Sequence, residues 1–528
     1  MAFHLSDISR SQHQRIVLIC AIVISIGILL RIINLDSKPY WLDESYTLLR
    51  ASSFTAQEAT QKLFTGQVIQ AEQVLRYQQP SEGDRGVMGT ITGLATEEPQ
   101  HPPLYFVLTR FWAQLFGSSK WAMRILPVIG SLLTFPAIYW LCQELFATPL
   151  VGWFTMALFA VSPMQLRYAE EVRQYSFWLA LVLFASAALL RAVRQPTKLN
   201  WSIYSLLIAT GIYCHLLTGL VVIAHGVYLI IQEQFRLTQA GWRYLVAAIA
   251  GLLLAMPWLW VVIQNRSIVA QTTAYSTKPL PFSSLLQSWL IFLDRTFIAA
   301  HFQYSVWLIA LAIPILTLIL YTFYFFCRYA PRSAKIFVLS LMATLFLPFL
   351  IPDLLWGGRR SLYDRYFLPC YIGLDIVVAY LLTVKLTQPM QQLQQQFWRV
   401  LTAFLLSGSI ISCISSALAP TWWGWSEFDV KIAQIINSTA HPLLISDVPF
   451  HGVVPLTHEL KPETSMILLP DPALLNIPEG VHNIFLYNPS DRLLSQVKQR
   501  GFESTLAYQF HDQLTKLNIS LYQAKGQQ

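Results

Sequence analysis

Charge is what this chain has least of. Of its 528 residues only 12% are Asp, Glu, Lys or Arg, whereas 55% are hydrophobic. A soluble globular domain carries about 25% charged residues, so the composition excludes an ordinary soluble protein over most of the length. Cysteine is nearly as uninformative: Cys20, Cys142, Cys214, Cys327, Cys370 and Cys413 lie in or beside apolar segments. With no C-x-x-C or other ligand spacing, neither a disulfide framework nor a zinc site is implied. No basic run with interleaved aromatics accompanies the net charge of +8, so that charge does not point to nucleic acid. The first apolar segment, residues 16–33, lacks a small-residue cleavage site and reads as a retained anchor. The last hundred residues contain neither G-x-G-x-x-G nor a P-loop, which withholds support from nucleotide binding.

What the chain does have is apolar stretches near the bilayer-spanning length, recurring for about 400 residues. Arg10 and Arg15 before the first of them place the N-terminus in the cytoplasm by the positive-inside rule. Alternation from there predicts about eleven transmembrane helices. It also predicts a transmembrane domain over residues 1–419, with a long first outer loop at 34–103 and a second outer loop at 264–303. Residues 103–116 are short for a span and are expected to lie along the outer surface. Gly83, Gly86, Gly89 and Gly93 suggest a mobile section of the first loop. After Pro420 the composition changes, and residues 420–528 read as a small α/β domain on the extracytoplasmic side. Ser426 with Asp429 forms a capping-box pattern opening a helix to about Asn437. Short strand-like runs follow at 443–446, 466–469, 483–487, 504–508 and 517–522, with a helix over 490–500.

Under this topology three ionisable clusters converge on the outer face: Asp43 with Glu44, His101 before Pro102-Pro103, and the run 167–175 with Arg167, Glu170, Glu171, Arg173 and Tyr175. Charge at a membrane edge is expensive and usually has a function. Each cluster also has an ordinary reading. Asp43 and Glu44 could cap a helix beginning at Ser45, His101 could serve as a cap, and the arginines could pair structurally with Glu170 and Glu171. His215 reads as a satisfied interior histidine, and His451 and His458 as surface residues. Arg359, Arg360 and Arg365, in an outer loop, violate the positive-inside rule and are suspects for an anionic ligand. Together the groups suit one reaction class. A carboxylate takes the proton of an acceptor hydroxyl, while arginines hold a phosphate and stabilise it as it leaves.

The pieces Trp41-Leu42-Asp43-Glu44, His101-Pro102-Pro103-Leu104-Tyr105 with Arg124 and Pro127, and Ser162-Pro163 followed by Tyr168, Glu171, Arg173 and Tyr175 resemble the GT-C superfamily of integral-membrane glycosyltransferases. Within it the likeness is to the family 39-like branch of protein mannosyltransferases and lipid A aminoarabinose transferases, over about the first 220 residues. The resemblance implies a polyprenyl-phosphate sugar donor, an extracytoplasmic active site, inversion at the anomeric carbon, and Asp43 as the central catalytic carboxylate. Aminoarabinose transferases carry a lysine where this chain has His101, so that sugar is not favoured. The reading that follows is a multi-pass enzyme of the bacterial inner membrane that transfers a hexosyl or pentosyl group to a lipid, glycan or protein acceptor. Asp43 and Glu44 are catalytic; His101, Arg167, Arg173 and Arg365 bind the donor phosphate; Glu171 and Tyr175 contact the sugar or support those that do. No cofactor is demanded, and a divalent Mg or Mn ion at Asp43 and Glu44 is the alternative use of that pair. The rivals are a flippase of lipid-linked sugars, which would want midplane charges and repeated halves, and a polymerase or ligase with a pyrophosphate-linked donor.

Overall fold

The computed structural model describes residues 10–80, 85–299, 306–423, 426–511 and 517–526. Among these, seven single helices are long and apolar enough to cross a membrane: Arg10–Leu30, Lys120–Leu145, Tyr175–Arg194, Ala312–Tyr329, Arg332–Leu355, Asp364–Thr387 and Gln392–Leu418. Two bent pairs, Pro149–Ala160 with Pro163–Glu170 and Gln239–Leu254 with Met256–Gln264, raise the number to nine. The chain is a multi-pass membrane protein. The expectation was about eleven; its two further segments are the helices Lys198–Cys214 and Thr218–Gln232, at 17 and 15 residues, shorter than the roughly 20 of a typical span. Leu104–Phe116 is a helix of 13 residues, too short to cross, in agreement with the surface placement of 103–116.

The chain divides into two compact units. One unit comprises Met1–Leu35, Glu98–Tyr105 and Arg124–Leu418; the other comprises Asp36–Glu97, Phe106–Met123 and Ala419–Gln528. Most of the first outer loop therefore folds with the C-terminal segment.

In the first unit a buried arginine explains a broken span. Pro163 cannot continue the helix that ends at Ala160 and instead starts the next one, bent by 67°. A helix C-terminus leaves carbonyls without intrahelical donors. Fully buried Arg31 supplies them: Nη2 donates to the Phe159 carbonyl at 3.0 Å and Nη1 to that of Ala160 at 2.6 Å. Its Nε donates to Ser131 Oγ at 3.0 Å. Gly27 permits this approach, since a Cβ there would lie 2.3 Å from the Ala160 carbonyl oxygen.

The second unit is built on a six-stranded sheet: β1 (Val68–Gln70), β2 (Leu443–Ser446), β3 (Ser465–Leu468), β4 (Ile484–Tyr487), β5 (Phe502–His511) and β6 (Asn518–Gly526), in the order β1-β3-β2-β4-β6-β5. The central β3, β2 and β4 are parallel, and β1, β6 and β5 join antiparallel. Because side chains alternate along a strand, Leu444, Met466 and Phe485 face one core and Leu443, Ile445, Ile467 and Ile484 the other. Leu49, Ala59, Leu63, Ala71 and Val74 from the first loop cover the former, while Leu493 and Val497 cover the latter. The expected helices and strands of residues 420–528 are present in place. Ser426, however, is left-handed at φ 56° and makes no side-chain cap to the helix Glu427–Asn437. β1 was not expected. The glycine-bearing section is a helix, Gly86–Glu97, and Gly89 lets it approach Ser53, whose Cβ would lie 2.7 Å from an added Cβ. Gly83, and residues 300–303 of the second outer loop, lie outside the described residues.

Candidate functional site

The bend at Pro163 aims the short helix Pro163–Glu170 into the turn 171–174, after which Tyr175–Arg194 begins. That turn concentrates charge in the interior of the first unit: Arg167, Glu170, Glu171 and Arg173 are all buried. Arg173 Nη2 lies 3.3 Å from His101 Nε2, and Gln174 Nε2 lies 3.4 Å from His101 Nδ1. The segment carrying His101 is anchored on both sides. Trp258 Nε1 donates to the Pro99 carbonyl at 3.2 Å, and Thr272 Oγ1 donates to Gln100 Oε1 at 3.1 Å.

A second contribution comes from the loop before Leu368–Thr387. Asp353 is its organiser, accepting from Arg360 Nη1 at 2.9 Å and from the Ser361 N–H and hydroxyl at 2.7 and 2.8 Å. Arg359 donates its backbone N–H to Ser276 and its side chain to the Lys278 carbonyl. Arg359 and Arg360 thus help to hold this loop in place. Arg365 differs: its guanidinium lies over Tyr175, 6.0 Å from the ring centroid, and Arg173 lies 5.8 Å from the same ring. Beside it Asp364 accepts from Tyr168 Oη at 2.5 Å and pairs with Arg167 Nη1 at 3.6 Å, while Arg167 Nη2 reaches Glu171 at 3.6 Å.

His101, Arg167, Glu171, Arg173, Tyr175 and Arg365, drawn from three separated stretches of sequence, are thus brought together. Asp43 and Glu44 belong to the second unit. They sit in the first turn of the helix Leu42–Ala51, where Glu44 accepts the Trp41 backbone N–H at 3.3 Å. The helix starts at Leu42, not Ser45. Among the described residues no group of three or more His, Cys, Asp or Glu is placed to hold a metal ion.

Two residues of the cluster were missed by sequence reasoning. Asp364 stands between two residues singled out for their positive charge. Arg295, on the helix Phe282–Phe297, lies within electrostatic reach of Asp364 and Arg167; burial pushes its guanidinium down to about 10 despite the pull of Asp364. The pair Asp294-Arg295 in an otherwise apolar helix was the available signal. His215 is the interior histidine expected, stacked on Trp178 at 4.7 Å with Nδ1 accepting the Leu217 N–H at 3.2 Å. His451 is exposed as expected. His458 is not a simple surface residue: it bonds Gln78 at 2.7 Å and meets Tyr40 edge-on.

A cluster of buried arginines around carboxylates and tyrosines can bind and stabilise a phosphate dianion. The family model described as dolichyl-phosphate-mannose-protein mannosyltransferase matches residues 100–261, which hold His101, Arg167 and Arg173. The crystal structure of ArnT from Cupriavidus metallidurans bound to undecaprenyl phosphate superposes with a TM-score of 0.51 at 12% identity, over 96% of this chain and 99% of that one. The matched stretch is 162 of the 528 residues, and the likeness to ArnT is one of fold. The same ArnT in the apo state gives a TM-score of 0.49 at 13% identity, over 96% and 99% of the two chains. The mycobacterial arabinofuranosyltransferase AftD gives 0.45 at 13% identity, over 96% of this chain and 41% of that one. No curated protein matches in sequence. The matched stretch begins just before His101 and excludes Asp43, whereas the resemblance to the GT-C superfamily runs from Trp41.

Proposed function

We infer that the chain is a GT-C glycosyltransferase that transfers a sugar from a polyprenyl-phosphate donor to an extracytoplasmic acceptor in the bacterial inner membrane, with inversion. The observation that carries the reading is the clustering of Arg167, Arg173 and Arg365 with His101 and Tyr175 at one end of the helix Tyr175–Arg194. The match to a mannosyltransferase family and the fold shared with a protein crystallised with undecaprenyl phosphate support it.

In this reading the acceptor hydroxyl oxygen attacks the anomeric carbon as Asp43 accepts its proton, with Glu44 fixing the turn that presents Asp43. The bond from that carbon to the donor phosphate breaks, and the phosphate leaves with the electron pair as polyprenyl phosphate. His101, Arg167, Arg173 and Arg365 hold the leaving phosphate, and Glu171 and Tyr175 contact or support the sugar. Arginine is suited to this work because its planar fork donates two parallel hydrogen bonds to phosphate.

Membranes containing the enzyme, supplied with a radiolabelled polyprenyl-phosphate sugar, should transfer label to an endogenous acceptor. Asp43→Asn should abolish transfer while donor binding persists. Unchanged transfer in Asp43→Asn would remove this mechanism, and movement of donor across liposomes without transfer would favour the flippase.

A further inference from the structure

The end of Tyr175–Arg194 away from the arginine cluster, about 30 Å along a 20-residue helix, holds a second concentration of basic groups. Arg191 and Arg194 there, with Trp140, Gln143, Glu144 and Asn200, line a cavity of about 510 Å³. Glu144 is buried at 3% exposure and is engaged from three sides: Trp140 Nε1 donates at 3.1 Å, Arg191 Nη1 lies at 3.5 Å, and Arg194 pairs with its other oxygen. The guanidinium groups themselves remain 40% and 51% exposed. Each has five N–H donors in a planar fork. Among the described residues Glu144 is the only partner for either. The lining charges sum to one positive unit, with Lys198 two residues before Asn200 at the start of Lys198–Cys214.

A surface ion pair alone would need no cavity and no buried carboxylate. Here Glu144 holds two guanidinium groups side by side, so the ordering entropy of two long side chains is already spent before a ligand arrives. The remaining donors are an array that suits a tetrahedral anion. A basic pocket between helices at the membrane surface is also where lipid phosphates sit. By the excess of Arg and Lys, this end faces the cytosol.

We propose that the cavity between Lys120–Leu145, Tyr175–Arg194 and Lys198–Cys214 is a phosphate-binding site separate from the transfer site, held by Arg191 and Arg194. Its ligand is a phosphate group, either the phosphodiester of an anionic phospholipid of the inner leaflet or a free phosphate from the cytosol.

The test is native mass spectrometry of the full chain, delipidated in detergent and titrated in separate arms with phosphatidylglycerol, phosphatidylcholine and inorganic phosphate. Wild type should retain phosphatidylglycerol over phosphatidylcholine if the source is lipid, or inorganic phosphate in preference to both if it is soluble. The doubly substituted Arg191→Gln, Arg194→Gln chain should bind the preferred ligand at least tenfold more weakly. Equal binding by that variant and wild type overturns the proposal, as does binding of neither anion by wild type. Should the double Gln variant lose its cooperative thermal transition, Arg191→Lys with Arg194→Lys decides. It keeps the charge but not the fork, so several-fold weaker binding supports the site and unchanged binding overturns it.

Discussion

Arg360 and Arg365 stand five residues apart in one loop and do different work. Arg360 neutralises Asp353, a carboxylate with no exposed side-chain surface, whereas Arg365 lies against Tyr175 in the arginine cluster. Arg360→Gln should therefore cost about 3 kcal/mol of stability by stranding a buried charge, read as a lowered thermal midpoint in detergent, with transfer per folded molecule retained. Arg365→Gln should leave the midpoint nearly unmoved and lower kcat by about 10²-fold, the usual effect of deleting one group that stabilises developing charge. The reverse pattern would exchange their roles. Gly27 is a third single-residue case. Gly27→Val drives a side chain against the Ala160 carbonyl, and overpacking of this kind costs about 1–3 kcal/mol. The same change should disturb the carbonyl that Arg31 satisfies, so the loss should appear in both thermal midpoint and transfer.

The helix Glu427–Asn437 carries its own titration. Burial pushes Asp429 up to about 8, against hydrogen bonds from Ser426 and Tyr487. A carboxyl raised this far is protonated in the folded unit at neutral pH and ionised when unfolded. Its contribution to stability is thus fully present below about pH 4 and is lost as pH rises toward about 8. The expected loss across that window is at most about 6 kcal/mol. Asp429→Asn, which keeps the neutral form, should flatten the dependence and stabilise the second unit at pH 8. Hydrogen exchange of Glu427–Asn437 and of β4, followed in the full chain between pH 5 and 8, measures it. No difference between variant and wild type would place the titration elsewhere. At the same scale, β1 shows why three residues can be a strand. Val68, Ile69 and Gln70 pair with Ile467, Met466 and Ser465 at the edge of an existing sheet, so they need no hydrophobic run of their own.

For the molecule as a whole, the decisive finding is that Asp36–Glu97 and Phe106–Met123 fold with Ala419–Gln528. Arg110 donates to the Ala51 carbonyl and to Ser53, and Lys120 pairs with Glu459 at 2.6 Å, which ties the separated segments of this unit together. A chain ending at residue 419 should therefore keep its membrane helices but lose the cover over Leu49, Ala59, Leu63, Ala71 and Val74. Limited proteolysis should cut it between residues 36 and 97, where the full chain resists. Equal resistance in both would mean that the first loop holds its own core.

The apolar stretches, the short strands after Pro420 and the charges at 167–175 were legible because each is written locally, in composition, alternation or adjacency. The extent of the second unit was not legible. Helix length depends on where neighbouring groups satisfy the terminal carbonyls, as Arg31 does for Phe159 and Ala160, and β1 is made a strand by a partner nearly 400 residues away. The sequence by itself determined a multi-pass membrane protein with a cation-rich stretch at 167–175, since bilayer solvation acts on every residue independently. Only the tertiary structure decided that Arg295 and Asp364 join Arg167 while Arg360 does not, because which charge meets which is set by long-range packing.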